Sequence, residues 1–417
     1  MDKWKLPEEW EWKALPEICE LNPKRPRIQR DDNVPTSFVP MQAVDDIEGK
    51  ITGMETRRYE EVKRGYTYFE ENNVLLAKIT PSMENGKAAI AQDLIDGIGF
   101  GTTEFHVFRP KEGILPAWIF YYLRRLSFRM EAKSHFRGAV GQQRVPEDFL
   151  KAYEIPVPFP NDPARSLEIQ KRIVLRLETL LGEVKSAREL QETIEEDTEQ
   201  LLSAFFAETF SDANGWEIHP ISEFADVKGG KRLPKGEKFA DGQTEFPYLR
   251  VVDFKDFSIY KESLKYLTPE IQQRIRRYTI SKDDIYISIA GTIGLVGTIP
   301  PELDGSNLTE NAAKIVFHPE YKEKIDPKFV AYYLASPHGK QQIKKYTMAA
   351  GQPKLALIRI QTIEVPLPDI NIQKNIVNRI DSIREEITEM QRAQYENAEL
   401  LEQTEQSLLA QAFCGEL

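Results

Sequence analysis

Ile155-Pro-Val-Pro158 runs through Asp162-Pro163 into Ile169-Gln170 and Ile173-Val174, and later Val365-Pro-Leu-Pro368 runs through Asp369 into Ile372-Gln373 and Ile376-Val377. An extended, proline-alternating segment followed by a helix start is thus written twice, at offsets of 203 to 210 residues. Working outward, other pairs keep the same order. Leu6-Pro-Glu-Glu-Trp10 and Leu15-Pro-Glu-Ile-Cys19 answer to Trp216 and Ile221-Ser-Glu-Phe-Ala225, and Met41-Gln-Ala-Val-Asp45 to Leu249-Arg-Val-Val-Asp253. Val107-Phe108 and Tyr121-Tyr-Leu123 answer to Val316-Phe317 and Tyr332-Tyr-Leu334, and Gly141-Gln142 to Gly351-Gln352. Common order and near-constant spacing make this an internal repeat, so one structural plan is used twice.

Each copy opens with short β-branched and aromatic runs broken by Gly, Pro and Asn, the pattern of strands. They are Ile51, Val74-Leu76, Ala88-Ile90 and Phe105-Phe108 in the first copy, and Ile285-Ile289, Leu295-Val296 and Lys314-Phe317 in the second. A helix is expected over Trp118 to about Lys133, and over Phe329 to about Leu334. The exit segment then leads into a long helix, with Asp162-Pro163 as N-cap and first-turn proline and Asp369 as the second cap. In the first long helix Ile173, Leu177, Leu180, Val184, Ala187, Gln191, Ile194, Thr198, Leu201 and Phe205 alternate spacings of four and three, a heptad seam. The second repeats the phase with Ile376, Ile380, Ile383, Ile387 and Met390, then weakens at Gln394 and Asn397. Its end, Leu408-Leu409 and Phe413, matches Leu201-Leu202 and Phe206 at an offset of 207, an insertion of four residues and the size of a stutter. The expected architecture is α/β (α+β). Residues 1–161 and 211–368 form two tandem domains, separated by helices over 162–210 and 369–417 with matched coiled-coil seams; if these pair antiparallel, a pseudo-twofold axis relates the two domains. A helix of ~40 residues is ~60 Å long, so such pairing would hold the two domains at opposite ends of a rod.

The 417 residues carry a net charge of −11, which at first sight argues against nucleic acid. Residues 163–210 hold 6 basic and 10 acidic side chains and residues 370–417 hold 4 and 9, so the helices account for −9 of the −11. The remainder is near neutral and its cations are clustered. Two cysteines, Cys19 and Cys414, make no disulfide framework. No apolar leader follows Met1 and no stretch reaches the length of a spanning helix, so a cytoplasmic chain without membrane association is expected. No catalytic constellation emerges. Gly291-Thr-Ile-Gly294-Leu-Val-Gly297 lacks the Lys-Ser/Thr of a phosphate-binding loop, and no Gly-x-Ser-x-Gly is present. His106, His135, His219, His318 and His338 stand singly, without metal-ligand spacing, so no catalytic residue and no metal site are assigned.

The informative clusters lie in the repeated domains. Arg125, Arg129 and Lys133 fall at i, i+4 and i+8 of the expected helix, one basic stripe, and lead to Gly138-Ala-Val-Gly141 followed by Gln142, Gln143 and Arg144. Gln can pair with the adenine edge and Arg with the guanine edge, while Lys chiefly neutralises phosphate. Lys78, Thr80, Asn85 and Lys87 mark a turn with polar tips. The second copy offers Lys228, Lys231, Arg232 and Lys235 on a glycine-rich loop, then Lys340, Lys344, Gln352 and Lys354. These groups are the candidate DNA contacts.

Taken in order, these motifs resemble the specificity subunit (HsdS) of Type I restriction–modification systems over essentially the whole chain. The resemblance rests on Leu6-Pro-Glu-Glu-Trp10, on Ile79-Thr-Pro-Ser-Met-Glu-Asn-Gly-Lys87 and Lys228-Gly-Gly-Lys-Arg-Leu-Pro-Lys-Gly236, on the two exits, and on Ala412-Phe-Cys-Gly-Glu-Leu417. It implies two target-recognition domains with mixed sheets, separated by two antiparallel helices. It also implies a non-catalytic chain that reads a bipartite, asymmetric DNA target, one half-site per domain. Two modification subunits, which bind S-adenosylmethionine and methylate adenine, and restriction subunits using ATP and Mg would be its partners; no cofactor is expected in this chain. One departure is that Pro353-Lys354-Leu355 stands where the first copy has Gln143-Arg144-Val145. Three alternatives stay open. One is a related class whose single partner both methylates and cuts; the others are a nuclease or hydrolase with an unrecognised site and a protein scaffold that never touches DNA.

Overall fold

A computed structural model describes residues 4–139, 141–211, 215–348 and 353–417, and the chain divides into two compact units. One comprises residues 1–191 with 396–417, the other residues 192–395. Each long helix therefore contributes to both units.

In the first unit Trp10–Ala14 pairs antiparallel with the exit strand Glu154–Pro158. Cys19–Leu21, Phe105–Pro110, Val74–Ala77 and Ala88–Ile90 form an antiparallel four-stranded sheet in that order. A second four-stranded sheet, Glu55–Arg58, Pro35–Val39, Ile98–Gly101 and Thr67–Glu70, is mixed because its two central strands run parallel. The second unit has the same plan. Glu217–Pro220 pairs with Glu364–Leu367, and Ala225–Gly229, Ala312–Phe317, Ile285–Ser288 and Val296–Thr298 form the antiparallel sheet. Its mixed sheet is Lys265–Tyr266, Pro247–Leu249, Ser306–Leu308 and Thr279–Ile280, again with a parallel central pair. The β-branched runs expected as strands lie in these sheets, except that Ile51 makes an isolated bridge to Val44 and Leu295 just precedes Val296–Thr298. Val74, Leu75, Ile285 and Ile287 are completely buried, as central strands covered on both faces require.

The single helix expected over 118–133 is two: Pro116–Arg124 and Leu126–Ser134, with Arg125 in an extended conformation between them. The second unit breaks in the same place, into Pro327–Ala335 and Pro337–Tyr346 at Ser336.

The long helices are Pro163–Ser211 and Ile370–Cys414. The Asp162 carboxylate accepts from Arg165 N at 3.1 Å and that of Asp369 from Asn371 N at 2.9 Å, so both expected caps form. The repeated Ile-Gln finds its reason here. Gln170, fully buried, accepts from Leu115 N at 2.9 Å and donates to Gly113 O at 2.8 Å. Gln373, 1% exposed, accepts from Asp326 N at 2.9 Å and donates to Lys324 O at 3.0 Å. In each unit one buried glutamine on the long helix thus satisfies part-buried backbone groups just ahead of the domain's own helix.

Within each unit the two long helices pack antiparallel. In the first, Ile173, Val174 and Leu177 share a core with Leu409, Ala412 and Phe413, while Arg188 reaches Glu405 at 2.7 Å. Phe413 stacks edge-on against Trp118 and Tyr122. In the second, Phe205, Phe206 and Phe210 share a core with Val377 and Ile380, and Gln394 donates to Thr198 Oγ1 at 2.9 Å. Phe206, the repeat counterpart of Phe413, packs on Tyr332.

The seam is therefore real and keeps the expected phase at Val184, Thr198 and Phe205, all buried, but its alternate positions leave it in the middle. Ile173, Leu177, Val184, Ile380 and Ile387 are buried, and Leu180, Ile376 and Ile383 half-buried. Ile194, Leu201 and Met390 are 42%, 44% and 41% exposed. Leu202 goes inward instead of Leu201, because Phe206 and Phe210 are committed to the domain core and residues four apart share a helix face.

Candidate nucleic-acid interface

In the first unit three sequence clusters become one assembly. The turn after strand Val74–Ala77, the helix Leu126–Ser134 and the segments around Arg137 and Gln143–Val145 are stitched together by backbone and side-chain bonds. Thr80 N donates to Gln143 O at 3.0 Å, Val145 N to Lys78 O at 2.9 Å, and Arg137 and Arg144 exchange backbone bonds at 3.0 and 2.9 Å. Arg129 Nη1 donates to Glu84 O at 3.0 Å and Lys133 pairs with the Glu84 carboxylate at 2.7 Å. Lys133 and the Thr80 hydroxyl together hold the Glu84 carboxyl below its ordinary range.

Asn85, Lys133 and Gln142 are exposed at this surface; Lys78, Thr80, Arg129, Gln143 and Arg144 are half-buried. Lys87 turns inward and donates to Val44 O at 2.8 Å. The expected basic stripe does not form, because the helix break redirects Arg125. That residue is 7% exposed, with its guanidinium 4.7 Å from the Trp4 ring, 5.0 Å from Tyr122 and 5.9 Å from Phe413. Arg125 is an interior cation held by aromatic faces, not a surface group that DNA could meet.

Arg144 is the most constrained cation of the group. Its Nε donates to Glu104 Oε2 at 2.8 Å, Nη2 to Glu104 Oε1 at 2.9 Å and Nη1 to Gln142 O at 3.0 Å. The guanidinium lowers the Glu104 carboxyl below its usual range. Behind the loop, His106 is 5% exposed; Nε2 bonds Val145 O at 2.9 Å and Nδ1 lies 3.2 Å from the Asn22 amide. Burial depresses its pKa, so it serves as a neutral tether of the loop to the sheet.

The second unit builds the corresponding surface from exposed residues. Lys228, Lys231, Arg232, Lys235, Lys340, Lys344 and Lys354 are all exposed, while Gln352 lies outside the described residues. Lys228 pairs with Asp226 at 3.0 Å, and the Lys231 ammonium sits 5.7 Å from the Tyr278 ring. Gly230 lets the loop run against the mixed sheet: a Cβ there would fall 2.1 Å from Thr309 O. Arg232 Nε donates to Glu310 at 3.0 Å. Lys354 bridges Ala290 as Arg144 bridges Ile79, so the two copies share a backbone register despite Pro353.

Two further stretches hold repeat-equivalent positions in the two units without standing out by charge clustering. Lys24, Arg25 and Arg27 are exposed on the loop that leaves strand Cys19–Leu21, the place that Lys231–Lys235 take after strand Ala225–Gly229. The repeat offset carries the signal: shifting the second-copy loop back lands on Pro23-Lys-Arg-Pro-Arg27. Likewise Ala290-Gly-Thr-Ile-Gly294 holds the position of the Thr80–Gly86 turn, with Gly294 against Ile343 as Gly86 is against Arg129.

No group of three or more His, Cys, Asp or Glu among the described residues is arranged to hold a metal ion, and no helix among them is long and apolar enough to cross a membrane. A cavity of about 500 Å³ in the second unit is lined by Asp256, Lys328, Tyr332 and Arg384, whose polar groups are engaged with one another or with Asp381.

Comparison with known proteins agrees with this architecture. A family model described as the Type I restriction modification DNA specificity domain matches residues 7–196 and again 213–398. The Escherichia coli EcoAI Type I restriction enzyme specificity subunit is 38% identical over 178 residues, 42% of this chain and 29% of that protein. The EcoEI specificity subunit of the same organism is 34% identical over 231 residues, 50% of this chain and 38% of its own length. The matches thus span about a third of those relatives. A structure reported under the assembly and conformational transition of the type I R-M system superposes with a TM-score of 0.79 at 23% identity, covering all of both chains. The HsdS subunit from Thermoanaerobacter tengcongensis superposes at 0.66 and 22% identity, covering 100% of this chain and 99% of that one.

Proposed function

The chain belongs to the family of Type I restriction modification DNA specificity domains, and from that membership we propose that it is the DNA-reading subunit of a restriction–modification complex. Each unit reads one part of a bipartite duplex target. Because the two surfaces differ in side chains, the two parts differ and the target is asymmetric. The observation that carries this reading is the duplicated assembly of glycine turn, short helix and loop, which gathers Lys78–Lys87 with Gln142–Arg144 in one unit and Ala290–Gly294 with Lys354 in the other.

The chain has the role of positioning and docking, not of chemistry. Lys and Arg at the loops neutralise phosphate and set the register, while Gln142, Gln143, Arg144 and Arg232 are the groups suited to base edges. Acidic outer faces of the long helices, such as Glu192, Glu196 and Asp197, offer a docking surface for two modification subunits. Those partners would supply S-adenosylmethionine and adenine methylation, and restriction subunits would supply ATP- and Mg-dependent cleavage, in the cytoplasm.

The test is the salt dependence of DNA binding by the assembled complex. Replacing Lys231 and Lys235 together by Gln should weaken binding to all sequences alike and lower the slope of log affinity against log salt by up to about 0.9 for each phosphate no longer neutralised. Co-purification of the modification subunit should be unaffected. Affinity unchanged at every salt concentration would remove these loops from the interface.

A further inference from the structure

Both units place a glutamate in the turn that enters the edge-to-centre strand Phe105–Pro110 or Ala312–Phe317, and in both that glutamate holds an arginine from a neighbouring loop. Glu104 grips Arg144 through Nε and Nη2 at 2.8 and 2.9 Å. Glu310 grips Arg232 through Nε at 3.0 Å and is itself fixed by the Thr309 hydroxyl at 3.1 Å. The arginines come from different places in the two copies: Arg144 from the loop after the short helix, Arg232 from the glycine-rich loop after the first sheet strand. Nor do the glutamates match residue for residue. Lys78 N donates to Glu104 O and Ile289 N to Asn311 O, so Glu310 sits one position earlier than the counterpart of Glu104. The same device is assembled from non-equivalent residues.

A carboxylate is a poor choice for a surface that only has to attract phosphate, since it cancels a charge and repels the backbone. It is a good choice for aiming a guanidinium. Arg has five N–H donors. In Arg144 the Nε–H and one N–H on each of Nη1 and Nη2 are engaged by Glu104 and Gln142 O. One N–H remains on each of the two terminal nitrogens, in a plane that three bonds have fixed. Two parallel donors on one edge are the complement of guanine O6 and N7. Arg232 is braced at Nε alone and its side chain is 75% exposed, which leaves both terminal nitrogens outward.

We propose that Arg144 and Arg232 each read one guanine, in the two different half-sites, and that Glu104 and Glu310 are the positioning residues that hold the two guanidinium planes. This assignment rests on the DNA-reading function proposed above. It makes a demand that a merely structural ion pair would not meet. Neutralising the glutamate should lower base discrimination while raising affinity for unrelated DNA, because a negative charge leaves the surface as the arginine loses its brace.

The experiment uses the complete complex of this chain with its modification subunits, carrying Glu104→Gln, Arg144→Lys or Arg232→Lys. Two quantities are read: the methylated motif in a methylation-deficient host, and binding to random-sequence duplex. Lys keeps the charge but cannot present two donors in a plane. Arg144→Lys and Glu104→Gln should relax the same single guanine position, with discrimination there falling about tenfold or more, and every other position should be unchanged. Arg232→Lys should relax one guanine in the other half-site. Glu104→Gln alone should tighten binding to random duplex. If Glu104→Gln does not co-purify with the modification subunits, the two lysine variants still decide. Unaltered motifs in the lysine variants, or relaxation of different positions by Glu104→Gln and Arg144→Lys, would overturn the assignment while leaving the chain's role intact. A wild-type complex with no motif dependent on this chain would overturn both.

Discussion

Gln170 shows how a residue can be legible as a motif and opaque as physics. The repeated Ile-Gln pairs are plain in the sequence, but only the fold reveals that each glutamine carries the backbone ahead of a domain helix. Gln170→Met keeps the length and removes both functions, leaving the part-buried Leu115 N and Gly113 O without their partner. The expected cost is about 1–3 kcal/mol, since an orphaned buried group costs roughly 1–3 kcal/mol and these two are only part-buried, read as a lower denaturation midpoint. An unchanged midpoint would mean that water satisfies those groups. Arg125 is the converse case. Its i, i+4, i+8 spacing with Arg129 and Lys133 has the look of a solvated stripe, and periodicity cannot see a break at the first member. The aromatic residues that receive it, Trp4, Tyr122 and Phe413, come from three distant parts of the chain.

Among the elements, the break itself was readable by comparison of the two copies. Pro337 announces it in the second copy, and the repeat carries it back to Arg125, where no proline marks it. The strands were legible because central, doubly covered strands need continuous β-branched runs. The middle of the helix seam was not, because Leu201 and Leu202 are equally apolar and the heptad alone does not choose between them. What chooses is the attachment of Phe206 and Phe210 to the second unit's core. The weak point of the seam at Gln394 is a matched polar contact with Thr198, both nearly buried. Thr198→Val should destabilise that unit by about 1–3 kcal/mol by depriving the Gln394 amide of an acceptor, whereas Thr198→Val with Gln394→Leu should recover most of the loss. Equal destabilisation by the single and double variants, measured by chemical denaturation, would show that the pair does not act as a unit.

For the whole molecule, the sequence conveys the duplication and the placement of charge better than the identity of contacts. A chain of net charge −11 holds −9 of it on two helices, which leaves the loops of both units free to be basic. The two units share the strand order of their principal sheets but not loop chemistry, half-buried and braced at Arg144 in one, exposed and lysine-rich in the other. Common topology with unlike loops is what a reader of two unlike half-sites requires. The target bases stay unreadable from sequence because recognition depends on loop conformation and DNA shape as well as side-chain identity. The most direct test is a long-read methylome of a methylation-deficient host expressing this chain with its neighbouring modification gene, against the same host lacking this chain. The account predicts a split, asymmetric, adenine-methylated motif present only with the chain. Methylation that is absent although the complex co-purifies intact, or that persists unchanged without the chain, would contradict it.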